Sequence, residues 1–160
     1  MTQERGPVAW LDFYNWNENL NSDQISTSNV TWADPERQMA CGAWLTALAQ
    51  THGLVPSSLR IASADASFRR YLRVDTQAGA SLIVMDAPPD KENCEPFVKV
   101  AKLMQLAGLK APEVLAWHEA QGFMLLTDLG DQTMMSAMDA KNPQANHALY
   151  MQAVDALIAW

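Results

Sequence analysis

The sequence has 160 residues, 49% hydrophobic and 18% charged, a balance that excludes a disordered chain and suits about one globular domain. Its formal net charge of -7 comes without a Lys/Arg stripe, which argues against nucleic acid as a partner but leaves room for a phosphate held by backbone amides and a cation or two. Its apolar runs fall short of the ~20 residues that span a bilayer, and residues 1–7 lack the basic start and apolar stretch of a signal peptide. A soluble cytoplasmic protein without a membrane partner is expected.

Residues 1–33 stand apart. Trp10, Phe13, Tyr14, Trp16 and Trp32 are interleaved with Asn15, Asn17, Asn19, Asn21 and Asn29, and no helical or strand period persists. An N-terminal extension that is poorly ordered alone is the first reading, with a partner-binding arm as the alternative. A helix is predicted from Asp34, a good N-cap, with Pro35 at the first helical position. Ala40, Trp44, Ala47 and Leu48 recur at helical spacing up to His52-Gly53, so one face should pack on a sheet.

Residues 59–85 carry the strand signal. Aromatic and β-branched runs at 59–62, 69–74 and 82–85 are separated by Ser, Ala, Asp and Gly, predicting three consecutive antiparallel strands. Pro88 and Pro89 then forbid regular pairing. A second helix is predicted over 92–107, with Phe97, Val100, Ala101, Met104 and Ala107 apolar and Gly108 as its cap. Two strands at 114–118 and 123–127 flank a turn at 119–122. A connector begins at Asp128, and a last helix places Tyr150, Met151, Val154, Leu157 and Ile158 on one face. It ends apolar and uncapped at Trp160, which predicts a protein partner or further chain. This order predicts an α+β fold, a five-stranded antiparallel sheet with a packed helix. Cys41 and Cys94 lie in unrelated segments and are expected as reduced thiols; they and His52, His118 and His147 show no metal-ligand spacing.

The element order resembles the small lobe of protein-kinase-like folds. The strings at 63–74 (Ser-Ala-Asp-Ala-Ser-Phe-Arg-Arg-Tyr-Leu-Arg-Val), 82–89 (Leu-Ile-Val-Met-Asp-Ala-Pro-Pro) and 125–131 (Leu-Leu-Thr-Asp-Leu-Gly-Asp) resemble the aminoglycoside phosphotransferase family. The nearest branch is the bacterial anomeric kinases of N-acetylmuramate and N-acetylglucosamine in cell-wall recycling. The likeness runs from about Glu36 to Trp160. It implies a kinase-like lobe over 34–127, then a hinge and the first helix of a second lobe over 128–160. It also implies ATP and magnesium as cofactors and an amino sugar as substrate of a complete enzyme.

The resemblance assigns nucleotide-binding roles. Ala64, Asp65, Ala66, Ser67 and Phe68 would form the loop over the phosphates, although that loop has no glycine and also fits a plain hairpin turn. Ile83 would meet the adenine, and Met85 stands where a phosphate-binding lysine is usual. Arg69 or Arg70, either of which could be an ordinary surface arginine, is the nearest substitute cation. Glu92 or Glu95 would be the helix acid that orients it, or would complement the helix N-terminus. Thr127, Asp128, Leu129 and Gly130 would be the hinge, or a simple connector. No histidine is followed by the family's catalytic-loop pattern, so no catalytic residue and no metal ligand is assigned. The chain alone is expected to be inactive. A binding module derived from such a lobe, or a relative acting on another alcohol such as an antibiotic hydroxyl, are the rival readings.

Overall fold

The computed structural model describes residues 30–64 and 68–160. Helix α1 (Pro35–His52) starts where Asp34 accepts hydrogen bonds from the Glu36 and Arg37 N–H groups, and it ends on Gly53 in the left-handed region. Five strands follow: β1 (Leu54–Ala64), β2 (Arg70–Thr76), β3 (Ser81–Asp86), β4 (Val114–His118) and β5 (Phe123–Thr127). Helix α2 (Glu95–Leu106) lies between β3 and β4. The strands form one antiparallel sheet in the order β1-β2-β3-β5-β4. The architecture is α+β, with the five-stranded sheet that the sequence predicts. No helix among the described residues is long and apolar enough to cross a membrane.

The sheet pleat sorts side chains onto two faces. Leu72 and Val74 of β2, Val84 of β3, and Phe123 and Leu125 of β5 pack with Cys41, Trp44 and Leu45 of α1. Trp44 stacks on Phe123 at 5.7 Å between ring centroids. On the other face, Met85, Met124 and Leu126 pack with Cys94, Phe97 and Val98 around α2. Val30 is buried in the α1-side core and Trp32 packs against it, so the packed unit begins before residue 34. The expectation for residues 1–29 lies outside the described residues.

Two element starts, one position on α2 and the content of the connector differ from the sequence reading. β1 starts at Leu54 rather than 59. Pro56 is tolerated because β1 is an edge strand whose register shifts between Val55 and Arg60. Ser58 Oγ fills the irregularity, accepting from the Asp75 N–H at 2.7 Å and donating to the Val55 carbonyl at 2.7 Å. Helix α2 starts at Glu95 rather than Glu92. A start at 92 would place Pro96 where an intrahelical N–H is needed. Instead Asn93 Oδ1 accepts the Glu95 N–H. Val100, expected on the packed face, is exposed, whereas Ala101 is buried. The connector after β5 also holds a short helix, α3 (Met134–Ala137), and a 3-10 turn (Pro143–Asn146) before α4 (His147–Ala159).

A buried ionic group joins these layers. Asp86, at the end of β3, is 1% exposed. Its Oδ1 accepts from Arg37 Nε of α1 at 2.6 Å, and its Oδ2 accepts from Arg70 Nε of β2 at 3.0 Å and from Arg70 Nη2. Arg37 Nη2 continues to the Gln121 carbonyl in the β4–β5 turn at 2.9 Å, and its guanidinium lies over the Phe123 ring. Arg70 lies over the Trp32 ring and donates to the Thr31 carbonyl. The same turn approaches β3 closely through Gly122. Its N–H and C=O bond the His118 carbonyl and the Ala87 N–H, and a Cβ there would fall 1.8 Å from the Ala87 oxygen. Gly122 also has φ 68°, a second reason for glycine.

Asp86→Ala leaves two guanidinium groups without their shared anion, and is expected to lower unfolding free energy by about 3–5 kcal/mol. Arg60→Ala, which opens the exposed Arg60–Asp75 pair, should cost about 0–1 kcal/mol. Urea denaturation of both variants checks the contrast, and equal losses would contradict the assigned role of Asp86.

Candidate nucleotide-binding face

The α2 face of the sheet places Tyr71 and Arg73 of β2 across from Met85 and Ile83 of β3. Met85 is fully buried and Ile83 half-buried. The shared face expected for Ile83 and Met85 follows from their two-residue spacing. Met85 supplies packing against Met124 and Leu126, not charge.

Two cationic groups flank this face at opposite ends. At one end Arg69 Nε donates to Glu92 Oε2 at 3.0 Å, with both side chains largely shielded from solvent. Burial acts to lower the Arg69 pKa, but the Tyr71 hydroxyl and the Glu92 carboxylate outweigh it and raise it. Glu92 therefore does meet an arginine, but from the connector three residues before α2, not from the helix as the sequence reading had it. Glu95 instead pairs with Lys99 along the helix surface.

Arg70 is the larger correction. Strand alternation sends it to the α1 face, opposite Ile83 and Met85, where Asp86 holds it. Sequence reasoning could not separate two adjacent arginines without knowing the register. Asp86, visible in the sequence as a lone acid ending a hydrophobic strand, was the available signal.

At the other end Arg73 donates to Asp128 through Nε at 2.6 Å and Nη2 at 3.1 Å. Ser81 Oγ donates to Asp128 Oδ2 at 2.6 Å, and the Gly130 N–H donates to Oδ1 at 2.8 Å. Burial would raise the Asp128 pKa, but the hydrogen bonds from Arg73, Ser81 and Gly130 prevail and hold it at about 2, against an ordinary 3.8. Sequence reading placed Asp128 in the hinge but missed Arg73 and Ser81. Their only signal was their positions at i and i+2 of strands on the inward face.

Of the other expected positions, Thr127 is bound to Glu113, the residue before β4, its Oγ1 accepting the Glu113 N–H and its own N–H meeting the Glu113 carbonyl. Leu129 is exposed, and Gly130 has φ 92°. Ala64 ends β1 by pairing with Arg70. Asp65, Ala66 and Ser67 lie outside the described residues. Phe68 is exposed, with the Lys91 ammonium 5.0 Å from its ring centroid. A cleft beside Glu92 is lined by Pro89, Asn93, Glu95, Trp117 and Glu119; three carboxylates make it unsuited to phosphate. Among the described residues no group of three or more His, Cys, Asp or Glu is placed to hold a metal ion. Cys41 and Cys94 are free and buried, and burial pushes the Cys41 thiol up to about 12.

A five-stranded antiparallel sheet with α2 on its inner face, an acid–arginine pair at one end and a post-β5 connector at the other, has the form of a kinase-like small lobe. Residues 58–160 match the phosphotransferase enzyme family, APH, and the chain belongs to that family. It is 51% identical over 106 residues to an N-acetylmuramate/N-acetylglucosamine kinase of Pseudomonas aeruginosa, covering 66% of this chain and 30% of that protein. Proteins of the same name from Pseudomonas putida and Neisseria meningitidis are 46% identical over 107 residues (66% of this chain, 30% of the relative) and 36% identical over 124 residues (77% and 36%). The chain thus spans about a third of the length of these curated relatives.

The Asp128 carboxylate yields a pH dependence with a definite sign. Its folded pKa lies below its unfolded value, so its stabilisation is complete above about pH 4 and is lost as pH falls toward 2. The stability difference between the unsubstituted chain and Asp128→Asn should grow between pH 2 and 4 and level off above. A difference independent of pH across this range would contradict the assigned pairing.

Proposed function

We propose that the chain is the nucleotide-binding lobe of an ATP-dependent phosphotransferase whose acceptor is the anomeric hydroxyl of an N-acetylated amino sugar. The observation that carries the reading is the Arg69–Glu92 pair, on the same sheet face as Ile83 and Met85. It stands beside the β1–β2 loop and provides a cation where β3 offers only Met85. The acceptor is inferred from the names of the relatives, each an N-acetylmuramate/N-acetylglucosamine kinase, and implies cell-wall recycling in the cytoplasm.

In this reading ATP lies against the inner face. Ile83 contacts the adenine, and backbone groups at 127–130 meet its polar edge. The phosphates extend toward the loop at 64–68, where backbone N–H groups and Arg69 offset their charge. Glu92 holds the Arg69 guanidinium in place before ligand arrives, which lowers the ordering cost of binding. Transfer breaks the γ-phosphorus bond to the bridging oxygen and forms one to the sugar oxygen, whose proton goes to a general base. No described residue is assigned as that base or as a magnesium ligand, so the reading gives this chain nucleotide binding and not turnover.

A second reading is a non-catalytic interaction module. The apolar exposure of α4 favours it, with Leu157 at 76% and Ile158 at 78%.

Thermal denaturation with increasing Mg-ATP, alongside an ADP series, separates the two. The nucleotide reading predicts a rise that grows with the logarithm of ligand concentration, equivalent to ~2.7 kcal/mol at a hundredfold excess over Kd, with Arg69→Met weakening ATP binding about tenfold or more through loss of a charge-assisted contact. A cooperative melt that ignores both nucleotides would overturn it and favour the interaction module.

A further inference from the structure

The Asp128 carboxylate has no acceptor capacity left for a ligand. An ionised carboxylate offers about four lone-pair sites, and four donors fill them here: Arg73 Nε and Nη2, Ser81 Oγ and the Gly130 N–H. The side chain is only 7% exposed. Its donors come from β2, from β3 and from the segment that contains Asp128 itself. Arg73 is also the cross-strand neighbour of Ile83. The carboxylate therefore clamps the backbone at 128–130 to the two strands that carry the inner face.

We propose that Asp128 is a positioning residue which, through Arg73 and Ser81, fixes the backbone at 128–130 so that it selects the polar edge of adenine over that of guanine. This rests on the nucleotide reading above. Adenine and guanine have nearly the same shape but present opposite donor and acceptor patterns at their six-membered-ring edge, so a rigid backbone can accept one and reject the other. A loosened segment can rotate a peptide group and accommodate either. Gly130, at φ 92°, permits the turn that brings its N–H back to Oδ1. The carboxylate ties that N–H to Arg73 of β2 and Ser81 of β3.

Calorimetric titration of the chain with Mg-ATP and with Mg-GTP, on the unsubstituted protein, Asp128→Asn and Ser81→Ala, tests this below the melting temperature of each. The expected result is preference for ATP in the unsubstituted chain, reduced about fivefold or more in Asp128→Asn, as loss of one net hydrogen bond implies. Ser81→Ala should reduce it by a smaller factor. Ser81→Ala removes one bond of four and carries the test if Asp128→Asn does not fold. An equal loss of ATP and GTP affinity, or an unchanged ratio, overturns the positioning role while leaving the nucleotide reading intact. Failure of the unsubstituted chain to bind ATP removes the nucleotide reading and this inference with it.

Discussion

The fold depends on one buried carboxylate shared by two arginines. Asp86 closes β3 with both oxygens engaged, one by α1 through Arg37 and the other by β2 through Arg70. Burying Asp86 and partly burying two guanidinium groups is costly unless their hydrogen-bonding capacity is met. Here the aromatic rings of Phe123 and Trp32 cover the guanidinium faces, while the Gln121 and Thr31 carbonyls take remaining N–H groups. The group thereby joins α1, the segment preceding it, two strands and the β4–β5 turn.

That commitment decides what the inner face has left to work with. Because Arg70 serves Asp86 on the α1 side, Arg69 is the adjacent arginine that can stand by Glu92 on the other side of the sheet. Two neighbouring arginines of one sequence thus take different tasks, and the pleat assigns them. The same alternation sends Arg73 inward to Asp128 and turns Leu72 and Val74 toward α1. The arrangement leaves half-buried Ile83 beside fully buried Met85, with ion pairs at both ends.

Much of this was legible in the sequence, and the exceptions have physical causes. The ends of β4 and β5 and the caps of α1 were readable because Asp34, Pro35, Gly53 and Gly122 carry local conformational demands that tertiary structure did not override. The early start of β1 was not readable. Pro56 and two serines signal a turn, and only its edge position makes a strand permissible there. The delayed start of α2 was encoded in Pro96, but the acidic and apolar pattern from Glu92 obscured it. Within the site, Ile83 and the 127–130 segment came from the resemblance. The roles of Arg69, Arg70, Arg73 and Asp128 needed strand register, because charges close in space here lie 23 to 55 residues apart along the chain for Arg69–Glu92 and Arg73–Asp128.

In the proposed function the inner sheet face, bounded by Arg69–Glu92 and Arg73–Asp128, receives a nucleotide. Amide hydrogen exchange with and without saturating Mg-ATP tests it most directly, because it reports where protection arises along the chain. The account predicts slower exchange at residues 68–71 and 127–130, with α4 unchanged. Protection confined to α4, or none at either end of the inner face, would contradict it.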